Sequence, residues 1–572
     1  MVRNSSLLAL LCGGTLLAGC KDDVEDSAVS GAWRPDIVCP GDAGCESLGD
    51  GVLYAGAAAL PITPTCYETW DDLNSNGEYE RSEESFLDCG CDRLCEGDEG
   101  YPGADDGEED GEFQAIYIAG FGTNRPVSGV HDDLWSRTVA MRQGDVTIAI
   151  VSVDLIGVFF NEVETIRQAA ADAGIDVDHI LLSSTHNHEG PDTLGQWGRQ
   201  LGESGYNAEY MAYVRAQIVA SVGQSVDGLT PATLAVAEAN ISTYDSEKGS
   251  RNVVYDHRDP KIIDPLVKTA WLTDAAGDTI ATVVNFGNHP EALGSANTLV
   301  TSDYVDATRR GIEDGVSYPD GEIPGVGGVC VYVSAAVGGM MSPLRVDVTD
   351  GTGETYSDAS FEKSDALGNV MAELVLGSLE SAEVAESPTL GLRARTFQLP
   401  IDNIAFQAAF LLDMFSRPVY GVDTADLSFD DDNIPQLLTE VDLIDLGPIR
   451  MLSIPGELMP ELALGGYDAS EGQPFTVLET LIDDDNPNPP DLSAAPEGPY
   501  LFDRMGAQYN WIIGLGNDEV GYIMPAYNYK LHESTPYLQE PDGDHYEETN
   551  SLGPQTTPLI EEAVIELLEW SP

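Results

Sequence analysis

Basic residues are scarce in this 572-residue sequence. It holds 26 Lys and Arg against 98 Asp and Glu, which gives a formal net charge of −72. A surface with so few cations repels phosphate backbones, so the composition argues against nucleic acid as a partner. Most of the carboxylates are expected to be solvated, and some to hold Ca²⁺. Hydrophobic residues still make up 42% of the chain, which excludes wholesale disorder.

Apolar runs long enough to span a membrane are also missing. The stretch at residues 7–18 follows Arg3, is too short to cross a bilayer comfortably, and ends in Leu17-Ala18-Gly19-Cys20. This pattern resembles a bacterial lipobox, with a plain signal peptide and a chance cysteine as the alternative. We expect residues 1–19 to be a lipoprotein signal peptide, Cys20 to be lipidated and residues 20–50 to form a tether. The protein is then exported and anchored to a bacterial membrane through lipid alone.

The cysteines divide into a cluster and a single thiol. An exported chain favours disulfides, and the acidic flanks without histidine make zinc binding by the cluster less favoured. Cys330 lies in the apolar run 329–333 and is expected to be a buried free thiol. The clustered cysteines are Cys39, Cys45, Cys66, Cys89, Cys91 and Cys95.

An acidic, Cys-rich segment at residues 66–111 interrupts the apolar periodicity, and we interpret it as an insert between residues 51–65 and 112–572 of the main domain. The insert contains the pattern D-x-[DN]-x-[DN]-G-x₅-E, in which side-chain oxygens, one carbonyl and a glycine turn suit Ca²⁺. Flanking EF-hand helices are not evident, and an acidic turn without metal is the alternative. The predicted Ca²⁺ ligands are Asp72, Asn74, Asn76, Glu78 and Glu83.

The main domain alternates strand-like and helical runs. A strand at 146–154, a helix at 161–173 and a strand at 180–184 form a βαβ unit with a parallel strand pair. The sequence therefore predicts an α/β fold with a mixed sheet and flanking helices. Further strands are predicted at 53–64, 279–286, 329–333, 449–454 and 511–514.

Polar candidates follow four of these predicted strands, and in open α/β sheets ligands bind beyond the carboxyl ends of strands. The segment Thr185-His186-Asn187-His188 follows the strand at 180–184, although an H-x-H pair alone also suits ordinary hydrogen-bonded histidines. The other three candidates are His289, Glu457 after a Pro-Gly turn, and the segment 514–522.

Together these segments resemble the neutral/alkaline, non-lysosomal ceramidase family over about residues 51–65 and 112–560. T-H-N-H-E-G-P at 185–191 is similar to the family's T-H-T-H-S-G-P, and I-P-G-E at 454–457 to its P-G-E. Asn517 and Tyr522 match N-x₄-Y. Gly129-Val130-His131, Ser250-Arg251-Asn252 and Tyr546-Glu547 resemble further family segments in the same order.

The resemblance implies a zinc-dependent amidohydrolase that cleaves the N-acyl amide bond of ceramide-like lipids, with the zinc site at the carboxyl ends of strands. It implies Zn²⁺ held by His186, His289, Glu457 and Tyr522. It also implies that the catalytic residues are His188, Arg251 and Tyr546.

Several positions depart from the family pattern. Glu189 and Asp192 replace small residues, and the family's G-D-V-S-P-N appears as G-G-M-M-S-P-L at 338–344, where Ser342 is expected to bind substrate or to be structural. Two alternatives therefore stay open. One is zinc-dependent hydrolysis of other amides or esters. The other is a catalytically decayed, Ca²⁺-dependent surface binding protein.

Overall fold

The structure is a computed structural model that describes residues 37–39, 51–319, 321–339, 341–422, 433–468, 481–543 and 545–570. The predicted signal peptide, Cys20 and most of the tether lie outside the described residues. Across the described ranges, no helix is both long and apolar enough to cross a bilayer.

The described ranges contain strands and helices in alternation, as the sequence predicts. The strands are β1 Ile37–Val38, β2 Leu53–Pro61, β3 Gly129–Val130, β4 Trp135–Gln143, β5 Val146–Val153, β6 His179–Ser184, β7 Thr230–Pro231, β8 Thr233–Asn240, β9 Leu266–Thr273, β10 Thr279–Phe286, β11 Leu299–Val300, β12 Gly315–Tyr318, β13 Gly321–Pro324, β14 Val329–Ser334, β15 Val348–Thr349, β16 Thr355–Tyr356, β17 Glu383–Val384, β18 Leu390–Pro400, β19 Gln436–Leu446, β20 Ile449–Ser453, β21 Glu457–Leu458, β22 Tyr509–Ile513 and β23 Tyr522–Ile523. The helices are α1 Phe160–Asp172, α2 Ala208–Asp227, α3 Tyr304–Asp314, α4 Phe361–Leu379, α5 Ile404–Leu411, α6 Pro460–Leu464, α7 Leu501–Met505, α8 Tyr546–Thr549 and α9 Thr556–Glu569.

Three five-stranded sheets carry the fold, where the sequence predicted one mixed sheet. Their strand orders are β6-β5-β4-β2-β7, β14-β10-β9-β8-β17 and β1-β18-β19-β20-β22. Each sheet is mixed, because β5 runs parallel to β6, β10 to β14 and β20 to β22, whereas the other pairs are antiparallel. The unit β5-α1-β6 is the predicted βαβ unit.

The three sheets share a common core, which explains why their strands are apolar on both faces. Ile148 of the first sheet, Val283 of the second and Met451 of the third belong to one buried cluster. The opposite faces are covered by helices: α1 and α2 on the first sheet, α3 and α4 on the second, and α9 on the third. A strand buried on both faces gives a continuous hydrophobic run, which does not encode its partner strand.

The predicted insert packs around its own small aromatic core. Tyr79 and Phe86 lie against Phe113, with ring centroids 4.6 and 5.3 Å away. Two disulfides, Cys66–Cys91 and Cys89–Cys95, cross-link the segment. Cys39 is also disulfide-bonded, and Cys330 is a buried free thiol, as predicted.

Candidate functional site

Four strand ends deliver the central residues of the site. His186 lies two residues beyond β6 and His289 three residues beyond β10. Glu457 and Tyr522 open the short strands β21 and β23, which are parallel and pair these two residues in register. Residues paired in register project from the same face of a sheet, so the carboxylate and the phenol are neighbours. Four segments from distant parts of the sequence therefore meet in one place.

His186 and His289 both direct Nε2 toward one carboxylate oxygen. Glu457 Oε2 lies 3.1 Å from His289 Nε2 and 3.5 Å from His186 Nε2. On the other side of each ring, His186 Nδ1 donates to the Ile156 carbonyl at 2.6 Å and His289 Nδ1 to the Met341 carbonyl at 2.7 Å. These bonds fix the tautomer and orientation of the rings, as is typical of histidines that ligate metals.

The backbone at His186 is held in an uncommon conformation. Its φ of 65° lies in the left-handed region, which non-glycine residues adopt rarely and mostly at functional sites. The neighbouring amides are fixed by the end of β5 and the residues just after it, because Thr185 and Asn187 donate backbone N–H bonds to the carbonyls of Val153 and Leu155. The turn that presents the imidazole is therefore imposed by the sheet.

The site is electrostatically suited to a positive charge. Burial alone lowers the pKa of His186, but the charge of Glu457 and its hydrogen bond raise that pKa to about 9. Burial raises the pKa of Glu457, whereas the two imidazoles lower it to about 2. In the protein without metal, a proton on the imidazole pair thus balances the carboxylate. A metal cation bound there supplies the same balance.

His188 completes a group of three imidazoles. The ring nitrogens of His186, His188 and His289 that could ligate a metal lie within 4.8 Å of one another. Burial, followed by the charges of the other two imidazoles, holds the pKa of His188 well below its usual range. Among the described residues neither ring nitrogen has a hydrogen-bond partner, and Glu291 Oε2 lies 3.4 Å from Nδ1. A neutral imidazole with both nitrogens available thus faces the site.

A buried ion pair supports His188 from behind. Arg125 bonds Glu189 at 2.7 Å and also donates to the carbonyls of Ala119 and His188. Burial raises the pKa of Glu189 to about 8, although Arg125 opposes the shift. Gly120 closes the front, where an added Cβ would lie 2.5 Å from the His188 ring. Glu189, which stands where the family pattern has a small residue, therefore belongs to the group that holds His188 in place.

Tyr522 and Tyr546 lie side by side, with ring centroids 6.0 Å apart. Tyr522 is buried and hydrogen-bonded to Glu457, and burial together with the Glu457 charge raises its pKa well above the usual value. Without a metal it is a neutral phenol. A dication in contact with the oxygen would be needed to lower that pKa. Tyr546 begins α8 and is 38% exposed.

A cavity of about 80 Å³ opens onto these groups. One end is polar and includes His186, His188, Glu457 and Tyr522, and the remaining wall is mainly aromatic and aliphatic. Such a cavity can place an apolar chain beside a polar reacting group. The apolar wall is formed by Ile156, Phe159, Leu194, Trp197, Phe406, Phe410, Phe415, Leu437, Val520 and Leu552.

Arg251 and Ser342 lie outside the described lining of this cavity. Arg251, on the short 3-10 helix Gly249–Asn252, stacks over the Tyr255 ring at 4.3 Å. Tyr255 exchanges two backbone hydrogen bonds with Ser342, which is buried and next to the Met341 carbonyl that holds His289. The structure therefore places this pair behind His289.

Two buried carboxylates of the site were given no role in the sequence analysis. Glu291 lies two residues after His289, and Glu519 lies between Asn517 and Tyr522. In a chain with 98 acidic residues, such positions resemble solvated loop acids. Their only signal was proximity to predicted ligands.

A second group of metal-type side chains, formed by His179, Glu440 and Asp442, already holds a cation. Arg167 inserts its guanidinium at 2.7 Å from Glu440 and 3.0 Å from His179. Asn517 completes the network: it donates to both carboxylates and accepts from the Leu182 amide. The network fixes the segment that carries Glu519 and Tyr522, so its role is structural.

The predicted Ca²⁺ loop turns around its own side-chain oxygens. Asp72 accepts from the amides of Asn76 and Gly77, and Asn76 accepts from that of Glu78. Asn74 accepts from the Asn76 amide. Glu83, the predicted last ligand, is exposed, whereas Glu84 is buried and accepts from the amides of Leu73 and Glu80. The carboxylate that is hydrogen-bonded to the loop backbone is thus that of Glu84, the residue after the predicted ligand Glu83.

Comparison with known proteins agrees with the fold and the motifs. A family model described as neutral/alkaline non-lysosomal ceramidase, N-terminal, matches residues 103–371, which include all three site histidines. Two solved structures are similar: neutral ceramidase from Pseudomonas aeruginosa and a ceramidase complexed with C2. Both have 13% sequence identity and a TM-score of 0.56, and the match covers 90% of this chain and 74% and 75% of theirs. At that identity the structures establish the mixed α/β fold alone. The predicted family resemblance is thereby confirmed, with the family model matching residues 103–371 of this chain.

Proposed function

We propose that this protein is a zinc-dependent amidohydrolase that cleaves the N-acyl amide bond of ceramide-like lipids to a fatty acid and an amine. The observation that carries the proposal is the convergence of two Nε2 atoms, a carboxylate and a phenol from four strand ends. These N and O donors are of the types that zinc prefers. The holding residues are His186, His289, Glu457 and Tyr522.

Zinc held by these residues would polarise a carbonyl and make a water molecule more acidic and so a better nucleophile. The protein's own side chains would transfer the protons and orient the substrate. His188, neutral and with both nitrogens available, donates a hydrogen bond to the developing oxyanion or passes a proton to the leaving amine nitrogen. Tyr546 lies at the cavity beside Tyr522 and orients the substrate carbonyl. The proposed roles of Arg251 in catalysis and Ser342 in substrate binding draw on the resemblance alone, since both lie outside the cavity lining.

The apolar wall supports a lipid acyl chain as part of the substrate. Phe159, Phe406 and Phe415 form an aromatic surface next to the polar end of the cavity. An acyl chain lying against them brings its amide carbon toward His186 and His188. The same donors also serve amides and esters that are not sphingolipids, and the altered segment 338–344 keeps that alternative in view.

Zinc content and fatty-acid release from ceramide, measured on the same preparations, test this proposal. The wild type is expected to bind one equivalent of zinc and to release fatty acid. His186→Ala should lose both, because it removes a metal donor. His532→Ala removes a half-buried histidine whose ring contacts Ser534 and Thr535, so it serves as the matched control and should keep both.

Three outcomes separate the alternatives. Release of acid from simple amides or esters but not from ceramide favours the broader hydrolase. A folded wild type without zinc and without hydrolysis favours the decayed binding protein. A zinc-free His186→Ala protein that still cleaves ceramide at the wild-type rate contradicts the proposed site.

We also propose that the insert binds Ca²⁺ through its loop at residues 72–84. The ring of oxygens from Asp72, Asn74 and Asn76 supports this, together with the Glu78 carbonyl. Because Glu84 is turned into the loop, Glu84→Gln should weaken Ca²⁺ binding by at least tenfold, an order of magnitude typical of losing one charged ligand. Glu83→Gln should leave it unchanged. Calorimetric titration with Ca²⁺ distinguishes the two, and equal effects would contradict this ligand assignment.

Export and lipid attachment complete the proposal, and they rest on the sequence of residues 1–20. Anchoring places the enzyme beside membrane lipids. Growth with radiolabelled palmitate should label the wild type in the membrane fraction, whereas Cys20→Ser should be unlabelled. Label retained on Cys20→Ser contradicts the anchor.

A further inference from the structure

Glu519 is a buried carboxylate at the site that the roles above leave unused. It is 7% exposed and lines the same cavity as His186, Glu457 and Tyr522. It is also close enough to interact electrostatically with Glu457 and His186. A second carboxylate beside Glu457 adds like charge to a buried position, which is unfavourable unless it serves a ligand or a reaction.

The two oxygens of Glu519 have different surroundings. Oε1 accepts from the Gly521 amide at 2.7 Å, so the side chain is anchored. Oε2 is buried and has no hydrogen-bond partner among the described residues. Buried carboxylate oxygens are normally satisfied by a donor in the protein or by water. One oxygen is therefore held, and the other is left to accept from something that enters the cavity.

The surrounding packing fixes this orientation. Gly157 lies against the side chain, and a Cβ there would come within 2.7 Å of Glu519 Cβ. The Glu519 amide donates to Asp518, which is itself clamped by Arg417 at 2.9 Å through both oxygens. Asn517 has a φ of 63° and is tied to strand β6 through the Leu182 amide. The segment is built to hold one carboxylate in one place.

We propose that Glu519 is a catalytic residue: its Oε2 accepts a hydrogen bond from the attacking water and takes the proton of that water as the water oxygen bonds to the amide carbon. The proton then passes to the leaving nitrogen as the C–N bond breaks, which yields a carboxylic acid and an amine with all atoms accounted for. This inference rests on the proposed function. It explains why an otherwise unfavourable second carboxylate lies next to Glu457.

The test uses the zinc-loaded full chain with Glu519→Gln. Glutamine keeps the shape and the anchor to Gly521, but its amide group donates where Oε2 accepted. We expect kcat to fall by about 10²–10⁴-fold, the usual contribution of a general base, with KM changed by less than about threefold. Zinc stoichiometry and the thermal midpoint of the metal-free protein should not change. Glu461→Gln removes another buried carboxylate with no assigned role and should keep wild-type kcat.

Affinity for laurate, a product analogue, provides a readout other than activity. Its carboxylate occupies the position of the water and is repelled by Glu519, so Glu519→Gln should bind laurate about tenfold more tightly. A residue that only supports the fold would not move this affinity in that direction. Glu519→Asp withdraws the oxygen by about one bond length, and kcat should fall by about tenfold or more.

Each possible result either supports or overturns the role proposed for Glu519. If Glu519→Gln loses its zinc, Glu519 is a metal ligand and the proposal is overturned. If the variant has a raised KM and an unchanged kcat, Glu519 only anchors the substrate, and the proposal is overturned as well. A folded Glu519→Gln protein with wild-type kcat overturns it as well and leaves the proposed function intact. If the wild type cleaves no N-acyl substrate, the proposed function fails, and an unchanged laurate affinity then overturns the role of Glu519 separately.

Discussion

The ion pair between Asp154 and Arg309 leads to a quantitative prediction about stability. Asp154 follows β5 and Arg309 lies on α3, and both are fully buried. Two parallel bonds of 2.9 and 2.8 Å join the guanidinium to the carboxylate. This bidentate pair attaches α3, which covers the second sheet, to the end of β5, where the carbonyls that hold the His186 turn are located. Breaking it from either side should not have the same effect.

The asymmetry follows from the other contacts of each partner. Asp154 also accepts from the Trp135 amide at 2.8 Å and the Ser302 hydroxyl at 2.9 Å. Arg309 makes its side-chain hydrogen bonds to Asp154 alone within the described ranges, and its Nε has no partner. Asp154→Asn therefore leaves a buried cation almost unpaired and should lower the free energy of unfolding by about 4 kcal/mol. Arg309→Met leaves a carboxylate that keeps two strong donors, so it should lower the free energy of unfolding by only about 2 kcal/mol.

Calorimetric melting measures the difference. A folded unit of about 500 residues has an unfolding entropy near 1 kcal/mol per kelvin, so the midpoint should fall by about 4 °C for Asp154→Asn and about 2 °C for Arg309→Met. The double variant removes both charges and should fall by about 4 °C, less than the sum. Arg310 lies on α3 beside Arg309 and makes an exposed pair with Asp365 of α4, so Arg310→Met should change the midpoint by less than about 1 °C. Equal single effects, or strict additivity, would refute the reasoning.

Three further predictions concern residues that support the site or the core. His179 has a pKa lowered to about 3 by burial and by Arg167, so its contribution to stability is complete above the unfolded value of about 6.5 and is lost as the pH falls toward about 3. Unfolding free energies measured between pH 4 and 7 should therefore rise with pH less steeply in His179→Gln, by up to about 1.4 kcal/mol per pH unit, and an equal slope contradicts this. Burial raises the pKa of Cys330 to about 12, so mass spectrometry should find its peptide unmodified after iodoacetamide treatment of the native protein and modified after unfolding. Asn517→Ala leaves the Leu182 amide unsatisfied and places alanine at positive φ, and should lower the unfolding free energy by about 2–4 kcal/mol in urea titrations, with an effect below about 0.5 kcal/mol counting against the network.

Seven of the long strands could be predicted from the sequence, because runs such as 146–154 and 279–286 are too apolar to be anything but buried. The observed strands Val146–Val153 and Thr279–Phe286 agree to within one residue. The number of sheets could not be predicted. A strand that is buried on both faces carries no alternation to show which neighbour it pairs with or which layer it joins.

For the site, too, part of the arrangement could be predicted from the sequence and part could not. The residues that meet at strand ends, such as His289 and Glu457, were recognisable because a parallel sheet brings its carboxyl ends together. The contacts around these residues could not be predicted. Nothing in the sequence places Arg251 against Tyr255, and nothing distinguishes Glu84 from Glu83 as the residue turned into the acidic loop. Those placements depend on packing between segments that are far apart in the sequence.

The buried carboxylates give a physical reason why this site suits a cation. Glu291, Glu457 and Glu519 are all at least nine-tenths buried and lie around His186 and His188. Burial raises the pKa of Glu291 and of Glu519, so a nearby positive charge would favour their ionised forms. In the proposed zinc enzyme, a dication bound there would displace a proton from the imidazole pair and favour the ionised forms of the neighbouring acids. Under the proposed function, metal binding would therefore also prepare a proton acceptor for hydrolysis, which gives a physical reason for a cluster of acids that the histidine motif alone does not require.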